Sequence, residues 1–430
     1  MTATIKSFIP DLPPKVWRIL AGDALSALGS GLVLPFLVVY LRDVRGIDVT
    51  TAGFVFSSLA LVALIFGAPS GVVVDRYGPR RALIGALVLC GIGSIGFALI
   101  SEPWHAFVSA MIFGTGIAAM WPATHSLLSS VVSESKRSSV FAVHYATLNA
   151  GIGVGGIIGG LVVDVNRPGT FEAMYLLDAL TWVIFGVMLF VMKDIGNAPP
   201  KSDELKANGG YRTVVADKIF MRLMIIAAVM VTVGYSQLES GFPAFITSVG
   251  NASTRLLGAT FAANTFVIVV AQLVLLKWLE GKRRTRALMS IFALWATAWT
   301  LVLIAVRVPE GLLRSGGFIL AMAVFALGEC LVSPTVPGMT NDLAPDELRG
   351  RYNAGYSLTF SIGHIIGPAL AGLMLGQELG EPFFVGLVLV CIVCIPWVRT
   401  LERRVPERAN LIRSDEEPVA PTEEESLVTS

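Results

Sequence analysis

Two glutamates lie inside segments that otherwise read as hydrocarbon. Glu329 is the only charged residue of the stretch FILAMAVFALGECLVSPTVPG, residues 318–338, and Glu239 occurs in the apolar segment 221–249. A charged carboxylate at the centre of a membrane helix costs about 2.5–3.5 kcal/mol on insertion scales, and such acids usually mark an ion or substrate pathway. An apolar environment favours the protonated acid, which exchanges its proton when water reaches it. The two glutamates therefore predict proton exchange, or the binding of a cation, within a membrane.

Helical spacing places aromatic, soft apolar and hydroxyl side chains on the same face as each acid. Such a mixture around one carboxylate suits a large, amphipathic and cationic substrate. We therefore expect these faces to line a substrate cavity, with a neutral, hydrogen-bonded glutamic acid as the alternative for either position. The faces consist of Thr232, Tyr235, Ser236 and Phe242 around Glu239, and of Met322, Phe325, Ala326 and Ser333 around Glu329.

Two further titratable residues lie near the starts of apolar segments. Asp23 lies about one turn inside the first segment, where it either joins the cavity or pairs with Arg18, and pairing is the favoured interpretation. His144 opens the fifth segment and has a side chain that titrates near neutral pH. A proton-carrying role is open for His144, although a packed histidine at a helix end is favoured.

Other polar residues in apolar segments receive simpler interpretations. Trp121 and His125 of the fourth segment are candidates for the cavity wall. Asp178 is expected to face the outer interface of the membrane. His364 lies among glycines and is interpreted as a helix-packing residue.

The composition supports a membrane protein. The chain has 430 residues, a hydrophobic fraction of 54% and a mean hydropathy of +0.72. Only 15% of its residues are charged, against roughly 25% in soluble domains, so the bilayer is the expected solvent. A net charge of +1 gives no indication of a nucleic-acid partner. The N-terminus is interpreted as a cytoplasmic tail and not as a signal peptide, because no small-residue cleavage site follows a short apolar core.

Twelve apolar segments are long enough to span a membrane, so we expect an all-α membrane protein. Lys and Arg number 32 in the chain, and six of them fall on the side opposite the termini when the segments alternate. The positive-inside rule then places both termini in the cytoplasm. The expected location is a bacterial-type cytoplasmic membrane. The segments are 19–41, 51–73, 82–100, 104–130, 138–163, 172–192, 221–249, 256–278, 287–306, 316–339, 352–375 and 382–400.

The longest polar interval divides the chain into two halves of six segments. An offset of 212 residues maps Gly116 onto Gly328, Pro122 onto Pro334, Arg137 onto Arg349, and Gly151, Gly155 and Gly160 onto Gly363, Gly367 and Gly372. So many matches at one offset indicate an internal repeat. The expected organisation is a cytoplasmic N-tail 1–18, a bundle 19–192, a cytoplasmic linker 193–220, a second bundle 221–400, and a cytoplasmic, disordered tail 401–430.

The loop after the second segment reads GVVVDRYGPRR, and it resembles the signature loop between helices 2 and 3 of the major facilitator superfamily. A weaker copy, LEGKRRTRAL, follows the eighth segment. We expect Gly71 to permit close helix approach and Gly78 to allow a tight turn. The resemblance implies a cytoplasmic latch between the halves, and the alternative is that the loop only sets topology and helix ends. The gating residues are Gly71, Asp75, Arg76, Gly78, Arg80 and Arg81.

The fifth segment contains NAGIGVGGIIGG, residues 149–160, which is similar to the glycine-rich motif of efflux antiporters in this superfamily. The resemblance implies close packing of helices 5 and 8, although Gly156 stands where those antiporters usually have proline. General small-residue packing is an equally open interpretation. The residues assigned to helix packing are Gly151, Gly155, Gly160, Gly363, Gly367 and Pro368.

Two comparisons with the superfamily bear on proton coupling. Many of its proton antiporters carry an arginine four residues before the first glycine of helix 4, where this chain has Ala110. The GEC-x3-P sequence at Glu329 is similar to that of a multidrug-efflux branch, which keeps a glutamate there for proton coupling. The family also lines its cavity with helices 1, 4, 7 and 10. The candidates for proton coupling are therefore Glu329, Glu239, Asp23 and His144.

The resemblance implies two six-helix bundles that rock around a central site and export lipophilic or cationic small molecules in exchange for protons. We expect no cofactor, no metal site and no catalytic residues, because the sequence carries no P-loop, metal-ligand cluster or nucleophile elbow. The expected oligomeric state is a monomer. A symporter or uniporter for a small metabolite is the first alternative. The second is a non-transporting membrane sensor on the same fold.

Overall fold

Twelve helices of the computed structural model, which describes residues 12–196, 211–345 and 348–412, are long and apolar enough to cross a membrane. This number confirms the expected all-α membrane fold, and each predicted segment overlaps one helix. The helices are α1 Pro14–Val44, α2 Val49–Tyr77, α3 Pro79–Ala98, α4 Pro103–Ser130, α5 Glu134–Val162, α6 Pro168–Val191, α7 Lys218–Ser248, α8 Thr254–Leu279, α9 Arg284–Arg307, α10 Leu312–Leu343, α11 Arg349–Gly376 and α12 Gly380–Glu402.

Local sequence explains where several helices begin. Proline occupies the first turn of four of them, where its missing N–H leaves no helical hydrogen bond unmade. Asp217 caps α7 by accepting hydrogen bonds from the backbone N–H groups of Ile219 and Phe220, both at 3.0 Å. Asp48 caps α2, and its hydrogen bonds from Thr51 lower the pKa of its carboxyl. The four prolines are Pro14, Pro79, Pro103 and Pro168.

The helices pack as two groups of six. In the first half, α1 packs against α5 and α6, α2 against α4, and α3 against α4 and α6. In the second half, α7 packs against α11, and α9 against α10 and α12, while α8 packs against α10. The main contacts between the halves are made by α2 with α11 and by α5 with α8.

Six glycines of α5 and α11 make equivalent contacts in the two halves, at the positions that the sequence repeat relates. Gly151 and Gly155 approach the backbone of α1, and Gly363 and Gly367 approach α7. The third glycine of each set reaches the other half, because Gly160 contacts Gly258 of α8 and Gly372 contacts Gly53 of α2. The glycines thus join each half internally and join the halves to each other.

These contacts between the halves lie on the far side, which we define as the membrane side opposite both termini. Thr50 Oγ1 donates to the Gly372 carbonyl at 3.0 Å, and Thr254 Oγ1 donates to the Val163 carbonyl at 2.9 Å. On the terminal side, where α1 begins and α12 ends, the last turn of α2 is exposed at Asp75 and Arg76. The glycine contacts and hydrogen bonds named above therefore join the halves on the far side, while the described end of α2 on the terminal side is exposed.

Three helices are interrupted within the membrane. The regular helix of α7 ends at Val233, and a π-helical turn at Gln237–Gly241 carries Glu239. In α10 the regular helix ends at Val332 and resumes at Val336. Helix α1 has a short 3-10 segment, Leu34–Phe36, followed by a π-helical turn. Interrupted helices of this kind leave backbone polar groups free to serve a binding site.

Part of the predicted tail is structured. Residues 407–410 form a short helix, and the Asn410 side chain accepts hydrogen bonds from the backbone N–H and hydroxyl of Thr285, both at 3.0 Å. The prediction of disorder from residue 401 was therefore wrong as far as residue 412, because the tail packs against the loop before α9. Residues 413–430, and residues 197–210 of the predicted linker, lie outside the described residues.

The close contact of Gly160 with Gly258 predicts that a larger side chain holds the halves apart on the far side. In Gly160→Val, a side chain would overlap the backbone of Gly258. Spin labels at Asp164→Cys and Arg255→Cys should then move apart. Gly186→Val is the control, because a side chain there meets no atom within 4 Å. Unchanged label distances in Gly160→Val would contradict the close contact.

Candidate functional site

Glu329 lies one turn before the interruption of α10. Its side chain is half-buried, and Asn264 of α8 donates a hydrogen bond from Nδ2 to Glu329 Oε2. Asn264 is itself buried, with an exposed fraction of 6%. An amide can donate to the ionised carboxylate and can accept from the protonated acid after a rotation of its own group. The pair therefore accommodates Glu329 in both protonation states.

Two tyrosines, one from each half, lie near this acid, and a third tyrosine lies near both of them. Tyr145 of α5 and Tyr235 of α7 lie within electrostatic range of Glu329, and Tyr356 of α11 lies within range of both tyrosines. The ring of Tyr235 packs edge-on against Trp295 at 5.7 Å between centroids. Glu329 thus lies where the two halves converge, within an aromatic and hydroxyl-bearing surface.

Glu239 forms an imidazole–carboxylate pair with His364 of α11, at 3.4 Å between Oε2 and Nε2. The other ring nitrogen of His364 donates to the Phe360 carbonyl at 3.0 Å, since a carbonyl oxygen can only accept. His364 therefore joins α11 to the acid of α7, and it is more than the packing residue that its sequence context suggested.

Asp23 forms the other such pair, with His144 of α5. Their Oδ2 and Nε2 atoms lie 2.7 Å apart, and the exposed fractions of the two side chains are 2% and 4%. The favoured pairing with Arg18 was therefore wrong, because Arg18 is exposed while Asp23 points into the helix contact with α5. The rings of Trp121 and His125 lie 6.2 Å and 5.8 Å from that of His144.

The predicted cavity residues separate into two groups. Trp121, His125 and Ser333 are exposed and Thr232 and Tyr235 are half-buried, so they remain available to a substrate. The prediction was wrong for Phe242, Met322 and Phe325 in this conformation, because all three have an exposed fraction of 0%. They belong to an aromatic core between α7, α9 and α10, in which Phe325 stacks on Trp295 at 4.8 Å and contacts Trp299 at 5.1 Å.

The predicted gating loop is built around Arg80. Its guanidinium donates to the carbonyls of Leu189 at 2.8 Å and Phe190 at 3.0 Å, and so satisfies the last turn of α6. Gly78 has a φ of 84° and makes the turn between α2 and α3, as expected. Arg81 is exposed, as Asp75 and Arg76 are.

Two sequence interpretations of buried or packed residues were wrong. Asp178 is fully buried and accepts a hydrogen bond from Ser94, so it lies inside the first half and does not face the outer interface. Gly71 makes no close helix contact here, because a side chain built on it meets no atom within 4 Å.

The side chains that pair with the acids were not predicted from the sequence. Asn264 is the one amide in the apolar run FAANTFVIVV of α8, and a lone amide at membrane depth is a signal that could have been noticed. No comparable signal pointed to Tyr356, because its role depends on how α11 is rotated against α7. Packing of the helices, not local sequence, selects these partners.

The comparisons with known proteins agree with this architecture. The chain matches the Major Facilitator Superfamily over residues 19–316 and 311–428. It therefore belongs to this superfamily of membrane transporters.

Among its relatives is an uncharacterised MFS-type transporter of Bacillus subtilis, YqjV, which is 23% identical and aligns over 94% of this chain and 97% of its own length. A Na(+), Li(+), K(+)/H(+) antiporter of Planococcus maritimus is 28% identical over 81% of this chain and 87% of the relative. The quinolone resistance protein NorA of Staphylococcus aureus is 23% identical over 86% and 92%. A solved POT family transporter in complex with 5-aminolevulinic acid has a TM-score of 0.75 at 17% identity, over 92% and 97% of the two chains, and so shares the fold.

The contacts of Arg80 predict a structural role that charge alone cannot fill. Arg80→Lys keeps the positive charge but loses the planar fork that reaches two carbonyls. Hydrogen bonds from charged groups contribute about 1.5–3 kcal/mol, so the variant should melt at a lower temperature than the wild type in detergent. Arg81→Lys is the matched control and should melt like the wild type. Equal melting of the two variants would contradict this assignment.

Proposed function

We propose that this transporter exports lipophilic or cationic small molecules in exchange for protons, with Glu329 as the shared site. The observation that carries the proposal is the position of Glu329, which is half-buried beside the break in α10 and paired with an amide that suits both of its protonation states. Ionised Glu329 can hold a cation, and protonated Glu329 can change sides without net charge. One site that is occupied alternately by a proton and by a substrate is an antiporter.

The conformation fits the first half of an export cycle. We place both termini in the cytoplasm, so the terminal side is the cytoplasmic side and this state is inward-facing. Here Glu329 loses its proton to the cytoplasm and takes the substrate. The halves then rock about the central site, the outer contacts of Gly160 and Gly372 open, and a proton from outside displaces the substrate. The protonated transporter returns to the inward-facing state.

The charge of the site favours cationic substrates. Glu329 and Glu239 supply two carboxylates, and the cavity residues named above include no arginine or lysine. The tyrosines and Trp121 add ring faces that attract cations and pack against apolar groups. Sugar phosphates and other anions have no counter-charge here. The relative named quinolone resistance protein supports a drug-sized organic substrate.

A second candidate is exchange of an inorganic monovalent cation for protons. Its support is the relative named as a Na(+), Li(+), K(+)/H(+) antiporter, which is 28% identical. The aromatic surface around Glu329 favours the organic substrate, because a small hydrated ion gains little from ring faces. The protein acts as a monomer in the cytoplasmic membrane under either proposal.

Transport in proteoliposomes tests the proposal. The liposomes have an acidic lumen, and the protein is inserted with its cytoplasmic side facing outward. Ethidium should then accumulate in the lumen against its gradient, and collapse of the pH gradient should stop accumulation. Uptake of sodium under the same gradient, without ethidium transport, would favour the second candidate. Transport that is indifferent to the pH gradient would overturn proton coupling.

Replacement of Glu329 provides the matched prediction. Glu329→Gln keeps the size and the hydrogen bond to Asn264 but removes the exchangeable proton, so accumulation should fall to the level of empty liposomes while the melting temperature stays similar. Asp178→Asn is the control, because it neutralises a membrane acid that is sealed within the first half. It should retain accumulation. Wild-type accumulation by Glu329→Gln would remove this residue from the mechanism.

A further inference from the structure

We infer that Asp23 and His144 form a second proton-binding site, in the first half of the protein, so that each transport cycle exchanges two protons. The inference rests on the proposed antiport and adds its proton number. It depends on geometry that Glu329 does not share, since the pair joins α1 to α5 while Glu329 lies on α10.

The pair can gain or lose a proton while its hydrogen bond is kept. Oδ2 of Asp23 and Nε2 of His144 lie 2.7 Å apart, within hydrogen-bond distance. With neutral His144, the N–H donates to the carboxylate and the pair has a net charge of −1. With a protonated imidazole, the same contact is an ion pair of net charge zero. Both forms keep the hydrogen bond, so a proton can enter and leave without rearrangement of the helices.

Few other charged or titratable side chains face this pair. From α4, His125 faces the pair, with its ring centroid 5.8 Å from that of His144. From α6, Asp178 lies against Gly29, more than a helical turn along α1 from Asp23, and is occupied by Ser94. On α1 itself Arg18 is exposed, and on α5 Tyr145 turns toward Glu329. His125 is therefore the titratable neighbour that faces the pair directly.

A route for the proton leads from the cavity through His125. His125 is exposed, whereas His144 is buried behind it. Their separation exceeds a direct hydrogen bond, and one water molecule would bridge it. Asp23, Trp121, Thr124 and His144 also line one small cavity of about 10 Å³, which excludes a drug. The Thr124 hydroxyl is buried and hydrogen bonds to no described residue.

The position of the pair explains why it would exchange a proton in every cycle. His125 and Trp121 are exposed on α4, and we expect rocking of the halves to bring this surface first to one side of the membrane and then to the other. Helix α5 also carries Gly160, one of the contacts that opens when the far side opens. The pair therefore meets both aqueous phases, as Glu329 does.

The number of protons per substrate tests this inference. In proteoliposomes, the ethidium gradient at which net flux ceases is measured for several pH gradients at a fixed membrane potential, and the slope gives the proton number. We expect two for the wild type and one for the double variant Asp23→Asn/His144→Gln, whose amides can still hydrogen bond to each other. Asp178→Asn should give two. A wild-type value of one, or a value of two for the double variant, would overturn the inference while leaving the antiport intact.

A second measurement does not require the double variant to fold. The chain has 4 histidines, so nitrogen NMR of protein labelled only at histidine resolves each imidazole, and single His→Gln variants assign them. In the Glu329→Gln background, His144 should change its protonation state between pH 5 and 8. Constant His144 resonances over that range would overturn the inference. If the wild-type protein showed no ethidium transport driven by a pH gradient, the proposed function itself would be overturned.

Discussion

The cost of placing a carboxylate at membrane depth governs this structure. Hydrocarbon cannot solvate an ionised acid, so each such acid needs a polar partner, access to water, or both. Four acids at membrane depth have the first of these, in the pairs Asp23–His144, Asp178–Ser94, Glu239–His364 and Glu329–Asn264. They differ in the second, because Glu239 and Glu329 are half-buried and Asp178 is fully buried, while Asp23 is buried beside a small cavity that Trp121 also lines. That difference distinguishes Asp178, which has a structural role, from the acids that we propose for proton exchange.

The fold provides this access through helix breaks and small residues. The breaks in α7 and α10 lie beside Glu239 and Glu329, so irregular backbone occurs where the acids must be solvated. The glycines of α5 and α11 bring the halves together on the far side by direct backbone contact. Contacts of this kind have little side-chain interlocking, which suits the proposed rocking of the halves. The same internal repeat thus produces two bundles and the glycine contacts that join them.

The sequence predicted the features that depend on local composition. Twelve apolar runs specified twelve helices, and the repeat of glycines anticipated contacts that the two halves share. The lone charge in the tenth run singled out Glu329. The tight turn at Gly78 was also anticipated, although the contact of Arg80 with the end of α6 was not.

Features that depend on helix rotation could not be predicted from the sequence. Helical spacing placed Phe325 on the face of Glu329, but the rotation of this regular part of α10 against α9 decides which of the two side chains is buried. Phe325 therefore packs on Trp295 within the second half. In the same way, His364 was assigned to packing and the carboxylate partner of His144 was not predicted, because nothing in their own segments revealed a carboxylate on a neighbouring helix. Partners that lie more than 100 residues apart in the chain are brought together only by tertiary packing.

Whether substrate and proton exclude each other at one buried acid can be measured directly, without a membrane. Purified protein in weakly buffered detergent solution is mixed with ethidium, and a pH-sensitive dye records the protons released. We expect proton release that saturates with ethidium binding and that disappears in Glu329→Gln. Ethidium binding with no proton release at any pH near neutrality, or undiminished release from Glu329→Gln, would contradict it.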